Sequence, residues 1–315
     1  VVVPRKATAS EAALFHTQEY LSYIREASES GEGLLDAGDT PAFKGCFEAS
    51  LAIVGATLKA IELVESGEFD HAANFAGGLH HARRDAASGF CIMNDCSIGI
   101  AWLRRSHRRV AYIDIDAHHG DGVVYGFYSD PGLLTVDIHQ DGRTLFPGTG
   151  DVYETGGGEG RGYKLNVPLP PGSGDDVLIH VVEGFIIPAL EMYAPEFILM
   201  QCGADGLEGD PLTRLRYSVE GCTSVVRMVH EASHRIGAKL VLLGGGGYNA
   251  QRAAECWASE FAAIKGLVVP SGQGGIHGAG RLPVRGTTVS GEGVWERVRV
   301  AEASLRSLAW AAGAL

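Results

Sequence analysis

Asp114, Asp116 and His118 stand at i, i+2 and i+4 in the run Ala111-Tyr112-Ile113-Asp114-Ile115-Asp116-Ala117-His118-His119-Gly120-Asp121-Gly122. The run opens on β-branched and aromatic residues and closes in acids, imidazoles and glycines. Side chains two apart on a strand share a face, so all three groups can point to one side as the chain leaves a sheet. An Asp-x-His pair offers one oxygen and one nitrogen ligand at fixed spacing, half of a site for a borderline-soft metal ion. The bland alternative is a strand end whose polar groups cap neighbouring loops. Three carboxylates and two imidazoles within eight residues weigh against it, because buried like charges need a counter-ion or a proton.

Asp205 follows an apolar run and completes a set of two carboxylates and one imidazole, which leaves a position open for water as catalytic metal sites do. Taken alone, an acid after a strand is more often a helix cap. His80-His81 follow Gly77-Gly78-Leu79. Amide hydrolysis needs a base for the water proton and an acid for the departing amine, and two adjacent histidines can supply both. Asp114 and Asp121 are the carboxylates available to set their tautomers. Tyr248, after Gly244 to Gly247, can donate a hydrogen bond to a developing oxyanion. That glycine run lies too late in the chain, and before Tyr-Asn, to read as a dinucleotide fingerprint. Phe90 and Phe146 suit the walls of a narrow apolar channel, though residues of this type are more often core.

These groups need a scaffold that delivers them to one place. Val110 to Ile115, Leu133 to Ile138, Phe197 to Cys202 and Leu240 to Leu243 read as buried strands, and Ala73 to Ala76 as a shorter one. Helical spacing runs over Ser10 to Ala27, within Pro41 to Val64, and over Ile98 to Arg105, Asp175 to Tyr193 and Ser218 to Ile236. The alternation predicts an α/β single domain with a central, mostly parallel sheet flanked by helices. Ligands in such sheets bind beyond the carboxyl ends of the strands, where His80-His81, Asp116-x-His118, Asp205 and Tyr248 all fall. Residues 268 to 289 are rich in Gly, Ser, Pro and Thr and read as a loop, followed by a terminal helix over 295 to 312.

A chain of 315 residues with 45% hydrophobic and 20% charged residues suits one large soluble domain. The net charge of −12 argues against a nucleic-acid partner held through phosphates. The six cysteines form no CxxC pair and several lie in apolar runs, as reduced buried thiols do. No apolar stretch is long enough to span a membrane, and the opening residues lack the order of a signal peptide, so cytosol is the expected setting.

Taken together, the motifs resemble the zinc-dependent histone deacetylase family of the arginase-deacetylase fold, near its class I enzymes and their bacterial acetoin-utilisation relatives. The matching segments are Gly77 to Ala82, Ser88 to Asp95, Asp114 to Gly122, Phe146 to Gly150, Gly203 to Asp205 with Gly209 to Pro211, and Gly244 to Asn249. They come in the family order across roughly residues 8 to 266. The resemblance implies zinc ligands Asp116, His118 and Asp205. His80 and His81 become the base and acid pair, held by Asp114 and Asp121 respectively, and Tyr248 polarises the acetyl carbonyl. Gly89, Phe90 and Phe146 would line an acyl-lysine channel with Leu212 at its rim, and Asp39 would grip the substrate backbone. It further implies structural potassium in two places. Asp114, Asp116, His118, Asp137 and Ile138 would surround one ion, and Phe127, Asp130, Leu133 and Tyr163 the other.

The sequence begins beyond the strand and helix that the family carries first, and residues after 267 do not resemble its usual C-terminal segment. The expected division is a catalytic domain over 1–266 and a divergent loop and helix over 267–315 packed on it. Leu79 and Asp137 stand where class I enzymes carry Trp and Ser, which argues for a bacterial relative. The expected reaction is hydrolysis of the acetyl amide of acetyl-lysine in a protein or peptide. Small acetylated amines such as acetylpolyamines are the nearest alternative substrate, disfavoured by apolar Leu212. A non-catalytic acetyl-lysine binding module is disfavoured by intact His80, His81 and Tyr248. A two-metal ureohydrolase is disfavoured because Gly206-Leu207 follow Asp205. Ferrous iron suits the mixed oxygen and nitrogen ligands as well as zinc does.

Overall fold

The computed structural model describes residues 1–267 together with Gly286, Trp295, Val298, Arg299 and Ala303. Apart from those few positions, the loop expected over 268–289 and the helix expected over 295–312 lie outside the described residues. Val298 is buried in the largest apolar cluster and Trp295 packs against it.

In chain order the elements are α1 (Ala9–Ala12), α2 (Gln18–Ser30), α3 (Cys46–Glu65), β1 (His71–Asn74), α4 (Asp95–Leu103), β2 (Val110–Asp114), α5 (Asp121–Gly126) and β3 (Leu133–Gln140). Then follow β4 (Lys164–Leu169), α6 (Asp175–Val181), α7 (Ile187–Tyr193), β5 (Phe197–Gln201), α8 (Val219–Ile236), β6 (Lys239–Leu243) and α9 (Ala250–Ile264). The six strands form one sheet in the order β1-β6-β5-β2-β3-β4, every pair parallel.

That order fixes where a ligand can sit. From β2 the chain steps outward through β3 to β4, then returns to β5 on the other side of β2 and steps outward again to β6. The loops leaving β2 and β5 therefore turn away from each other. A crevice opens between the carboxyl ends of these two strands, at the switch point of the sheet. Asp114 and Gln201 are register partners across it.

Strand alternation divides the core. Ile113, Val136, Met200 and Leu242 face a cluster built with α6 to α9. Tyr112, Leu199, Val241 and Leu243 face α3 and α4 on the other side. Each buried Leu, Ile or Val contributes about 1.5–3 kcal/mol to holding the sheet between its helices.

Several expectations need correction. The helix expected over Ser10 to Ala27 is two helices, because Thr17 is extended and its side chain accepts the Tyr20 N–H as the cap of α2. The helical span Asp175 to Tyr193 is present but opens into a wide π turn at Val182–Ile186, just before Pro188, whose ring leaves no N–H for the ladder. Strand β1 ends at Asn74 rather than Ala76, since the Asn74 side chain turns to donate to the Thr57 hydroxyl and the chain leaves the sheet there. Strand β4 and helices α5 and α9 were not anticipated by the pattern.

Candidate active site

Two short loops fill the crevice from opposite sides. Beyond β2, Asp116 and His118 turn in; beyond β5, Asp205 meets them. His118 Nδ1 lies 2.8 Å from Asp205 Oδ2 and 3.1 Å from Asp116 Oδ1. These three side chains are buried, and each offers a ligand atom within 4.8 Å of the others. Asp205 is no helix cap: its other oxygen accepts the Ala117 N–H at 2.8 Å, which ties the β5 loop to the β2 loop.

Backbone donors and one amide orient the acids. Asp116 Oδ2 accepts the Gly246 N–H at 2.7 Å and Gln201 Nε2–H at 2.9 Å, while Oδ1 accepts the His118 N–H. Such close approach explains two of the glycines. A Cβ on Gly203 would sit 2.1 Å from Asp116 Oδ2, and one on Gly246 would sit 2.1 Å from Asp205 Oδ2.

The charges show what the cluster is suited to hold. Burial pushes the Asp205 carboxyl up to about 7, with Asp116 adding to the effect. Burial opposes charge on His118, yet Asp116 and Asp205 together hold its imidazole up at about 10. Two buried carboxylates thus retain protons on their neighbours where a dication would neutralise them. Two oxygens and one nitrogen on a common centre, with outer atoms anchored by N–H donors, fit a borderline divalent metal.

The histidine pair sits at the edge of this cluster. His80 Nδ1 donates to Asp114 Oδ2 at 2.7 Å and His81 Nδ1 donates to Asp121 Oδ1 at 2.8 Å. A carboxylate only accepts, so in each ring Nδ1 carries the proton and Nε2 faces inward. The two Nε2 atoms are 3.2 Å apart. The rings differ in surroundings. Burial opposes charge on His80, but Asp114 and Asp116 hold it up at about 10. Burial and the adjacent His80 push His81 down to about 4. Asp121, which also accepts from the Arg83 guanidinium, raises it but does not outweigh them.

An apolar mouth surrounds the pair. Phe90, Phe146, Leu212 and Tyr248 are 51%, 44%, 47% and 39% exposed, a cluster of uncovered apolar surface at the crevice. Phe146 meets the His81 ring edge-on at 5.1 Å, and Tyr248 lies 6.0 Å from Phe90 and 6.3 Å from His118. Gly89 has φ 54°, and a Cβ there would come within 2.5 Å of the His81 ring. The Asp210 carboxylate accepts both the Leu212 and Tyr248 N–H groups at 2.9 Å, which sets the rim beside the phenol. Asp39 is exposed in a loop fastened to the same wall, since the Phe90 N–H donates to the Thr40 hydroxyl at 3.1 Å.

The first set of residues expected around potassium is brought together. Asp114 and Asp137 are register partners on β2 and β3, and a Cβ on Gly120 would contact both carboxylates. The second set does not fit an additional ion. There Lys164 Nζ donates to the carbonyl oxygens of Asp130 at 3.0 Å and Leu133 at 2.5 Å. An ammonium from the start of β4 already satisfies the carbonyls that the resemblance gives to a cation.

Some residues that build the site escaped the sequence reading of roles. Gln201 fixes Asp116. Asp95 accepts the N–H groups of Gly78 and Leu79, and Asn94 donates to the carbonyls of His80 and Ala82, so together they clamp the histidine loop. Asn94 and Asp95 lie in a quoted segment, as does Asp210, but nothing in their spacing marks backbone partners so far away.

A buried carboxylate-imidazole centre at the switch point of a parallel sheet, flanked by a carboxylate-held histidine pair, defines a site suited to hydrolysis, with a place for a divalent metal. The histone deacetylase domain matches residues 1–264. The chain belongs to the histone deacetylase family. It is 40% identical over 277 residues to the acetoin utilization protein AcuC of Bacillus subtilis, covering 85% of this chain and 72% of that protein. It is 38% identical to histone deacetylase 8 of Xenopus laevis over 86% of this chain and 84% of that protein. Histone deacetylase 8 of Danio rerio is also 38% identical, over 86% and 72%. Membership implies a hydrolase that removes acetyl groups and uses a divalent metal. Among the described residues, no helix is long and apolar enough to cross a membrane.

Proposed function

We propose that this chain hydrolyses the acetyl amide of acetyl-lysine in proteins or peptides. The observation that carries the reading is the histidine pair, each Nδ1 on its own carboxylate, with the two Nε2 atoms in contact and His80 Nε2 3.9 Å from Asp116 Oδ1. Those three residues would hold zinc, which when bound polarises the acetyl carbonyl and makes a neighbouring water more acidic.

The chain's own groups then divide the proton work. The order that the resemblance implies is reversed here: His81, kept neutral by burial and by the adjacent His80, takes the proton of the attacking water at Nε2. Tyr248 donates its phenolic hydrogen to the developing oxyanion; burial first, then Asp116 and Asp205, raise its pKa, so the hydroxyl stays protonated. His80, surrounded by carboxylates, keeps a proton and gives it to the leaving lysine amine. The 3.2 Å contact between the two Nε2 atoms lets the pair pass the proton back for the next cycle.

The mouth supports an acylated lysine rather than a small polyamine. Phe90 and Phe146 offer walls for a straight methylene chain, and apolar Leu212 gives no carboxylate for a second amine. Asp39, exposed on the loop that Thr40 ties to Phe90, would accept a substrate backbone N–H. A potassium ion beside Asp114 and Asp137 would offset two facing carboxylates. We assign residues 1–266 to the catalytic domain, against whose core Val298 and Trp295 pack, and the six buried free thiols suit a reducing cytosol.

The test is acetate release from an acetyl-lysine peptide by zinc-reconstituted protein, beside Tyr248→Phe. Turnover that requires the metal and falls about 10²–10³-fold in the variant supports the reading. Turnover confined to acetylated polyamines redirects the substrate, and folded, metal-loaded protein without any turnover overturns catalysis. Reconstitution with ferrous iron in parallel tests the choice of zinc.

A further inference from the structure

Three imidazoles meet at the opposite end of the sheet. His71 is the first residue of β1 and is in register with Leu240, the second residue of β6. Only Gly237 and Ala238 separate α8 from β6, so the last turns of α8 finish beside the start of β1. His230 and His234 are four apart on α8 and share one face of it. The parallel sheet therefore places all three rings together, remote from the carboxyl-end crevice.

Their Nε2 atoms close a triangle: 2.9 Å from His71 to His230, 2.9 Å from His230 to His234 and 3.2 Å from His71 to His234. The ring planes cross at 82°, 75° and 86°, so the rings converge by their edges and do not stack. A neutral imidazole Nε2 is either a donor or an acceptor, never both. Around a closed triangle of such atoms, at least one side must join two donors or two acceptors. No choice of tautomers satisfies all three contacts. Burial also disfavours the alternative of charging the rings: it holds His71 and His230 below the usual histidine range, and each ring repels charge on its neighbour.

One arrangement removes the conflict, with all three lone pairs directed at a single Lewis acid. Nitrogens bound about 2.0–2.1 Å from one ion stand about 3 Å apart, as these do. We propose that His71, His230 and His234 form a second metal site that binds a borderline divalent first-row ion through three Nε2 atoms. His71 and His230 are half-buried and His234 is exposed, so the outer coordination positions face water. The bound ion pins β1, an edge strand of only four residues, to the end of α8. A site of this kind is neutral in its ligands, unlike the two-carboxylate centre, and favours imidazole-seeking ions such as zinc, nickel and copper.

The experiment is zinc stoichiometry and affinity on the full chain, after removal of loosely held metal, for wild type, His234→Gln, His230→Gln/His234→Gln and Asp205→Asn. The expected result is two zinc ions per wild-type chain, and one in either the double histidine variant or Asp205→Asn. In the Asp205→Asn background, zinc should raise the melting temperature, and adding His234→Gln should weaken that binding at least tenfold. Because His234 is exposed, this single variant keeps the test open if the double variant fails to fold. A wild type that binds one ion, lost only in Asp205→Asn, overturns the proposal, as does zinc affinity at the second site unmoved by His234→Gln. None of these readouts involves acetate release, so the outcome is independent of the deacetylase assignment.

Discussion

The two ends of the sheet treat buried polar groups in opposite ways. At the carboxyl ends Asp114, Asp116, Asp121, Asp137 and Asp205 are all buried, and apart from imidazoles and backbone donors they meet the Tyr112 hydroxyl, the Gln201 amide and one cation, the half-exposed Arg83 on Asp121. Negative charge is gathered there in excess of anything the chain supplies to balance it. At the amino ends, Lys164 is buried at the start of β4 and its ammonium is bonded to the carbonyls of Asp130 and Leu133. Among the described residues it is the one buried lysine or arginine. The amino end brings its own amine, which burial holds down at about 7 yet which donates to both carbonyls, whereas the carboxyl end is left short of a cation. The difference follows from topology: loops diverge from β2 and β5 only at the carboxyl side, so only there does a crevice open for a substrate.

The largest effects are expected where the deficit is deepest. His81→Ala should lower kcat about 10²–10⁴-fold while metal content stays at the wild-type level, measured by acetate release beside metal analysis. Equal loss of metal and activity would mean that His81 shapes the centre rather than moving protons. Gln201→Ala removes one donor to Asp116 and should weaken metal affinity about 10–100-fold, read by competition with a chelator. Unchanged affinity would show that the Gly246 N–H suffices to orient that acid.

At the other end, Lys164→Met deletes the internal cation and leaves two buried carbonyls without it. Each lost partner costs about 1–3 kcal/mol, so denaturant unfolding should show a loss on the order of several kcal/mol. Potassium should then raise the melting temperature of Lys164→Met more than that of wild type, because the vacated carbonyls suit a monovalent ion. Identical potassium dependence in the two proteins would break the contrast between the ends.

The legible part of the molecule is the part written in short-range spacing. Strands β2, β5 and β6 are apolar runs between Gly, Asp and Pro, and the acids and imidazoles after β2 betray themselves at i, i+2 and i+4. Strand β4 is Lys-Leu-Asn-Val-Pro-Leu, an edge strand that mixes a charge, an amide and a proline, and no periodicity rule selects it. Helix α5 has six residues, two of them glycines (Gly122 and Gly126), and is too short to read. Gln201, Asn94 and Asp95 act through backbone groups whose identity every residue shares, so their roles emerge only once the loops are in place. Lys164 lies on a strand that no pattern selects, and the histidine cluster joins His71 to His230 and His234, 159 and 163 residues further on.

Glu260 sharpens the contrast in its mildest form, because it is a buried acid with neither a cation nor an oriented donor set. It lies on α9 in the core beside Cys256, whose thiol donates to Oε1 at 3.4 Å, while Oε2 has no hydrogen-bond partner. Burial raises its carboxyl from the usual range to about 8. The folded protein therefore binds this proton between about pH 4.5 and 8 while the unfolded chain releases it. Stability contributed by the neutral acid is full below the unfolded pKa and is lost as pH rises through that window. Glu260→Gln keeps the shape and removes the titration, so its melting temperature should fall less between pH 5 and 8 than that of wild type, with the gap widest at pH 8. Parallel curves would mean that Glu260 is ionised in the fold and that a positive partner compensates it, as at the sheet ends.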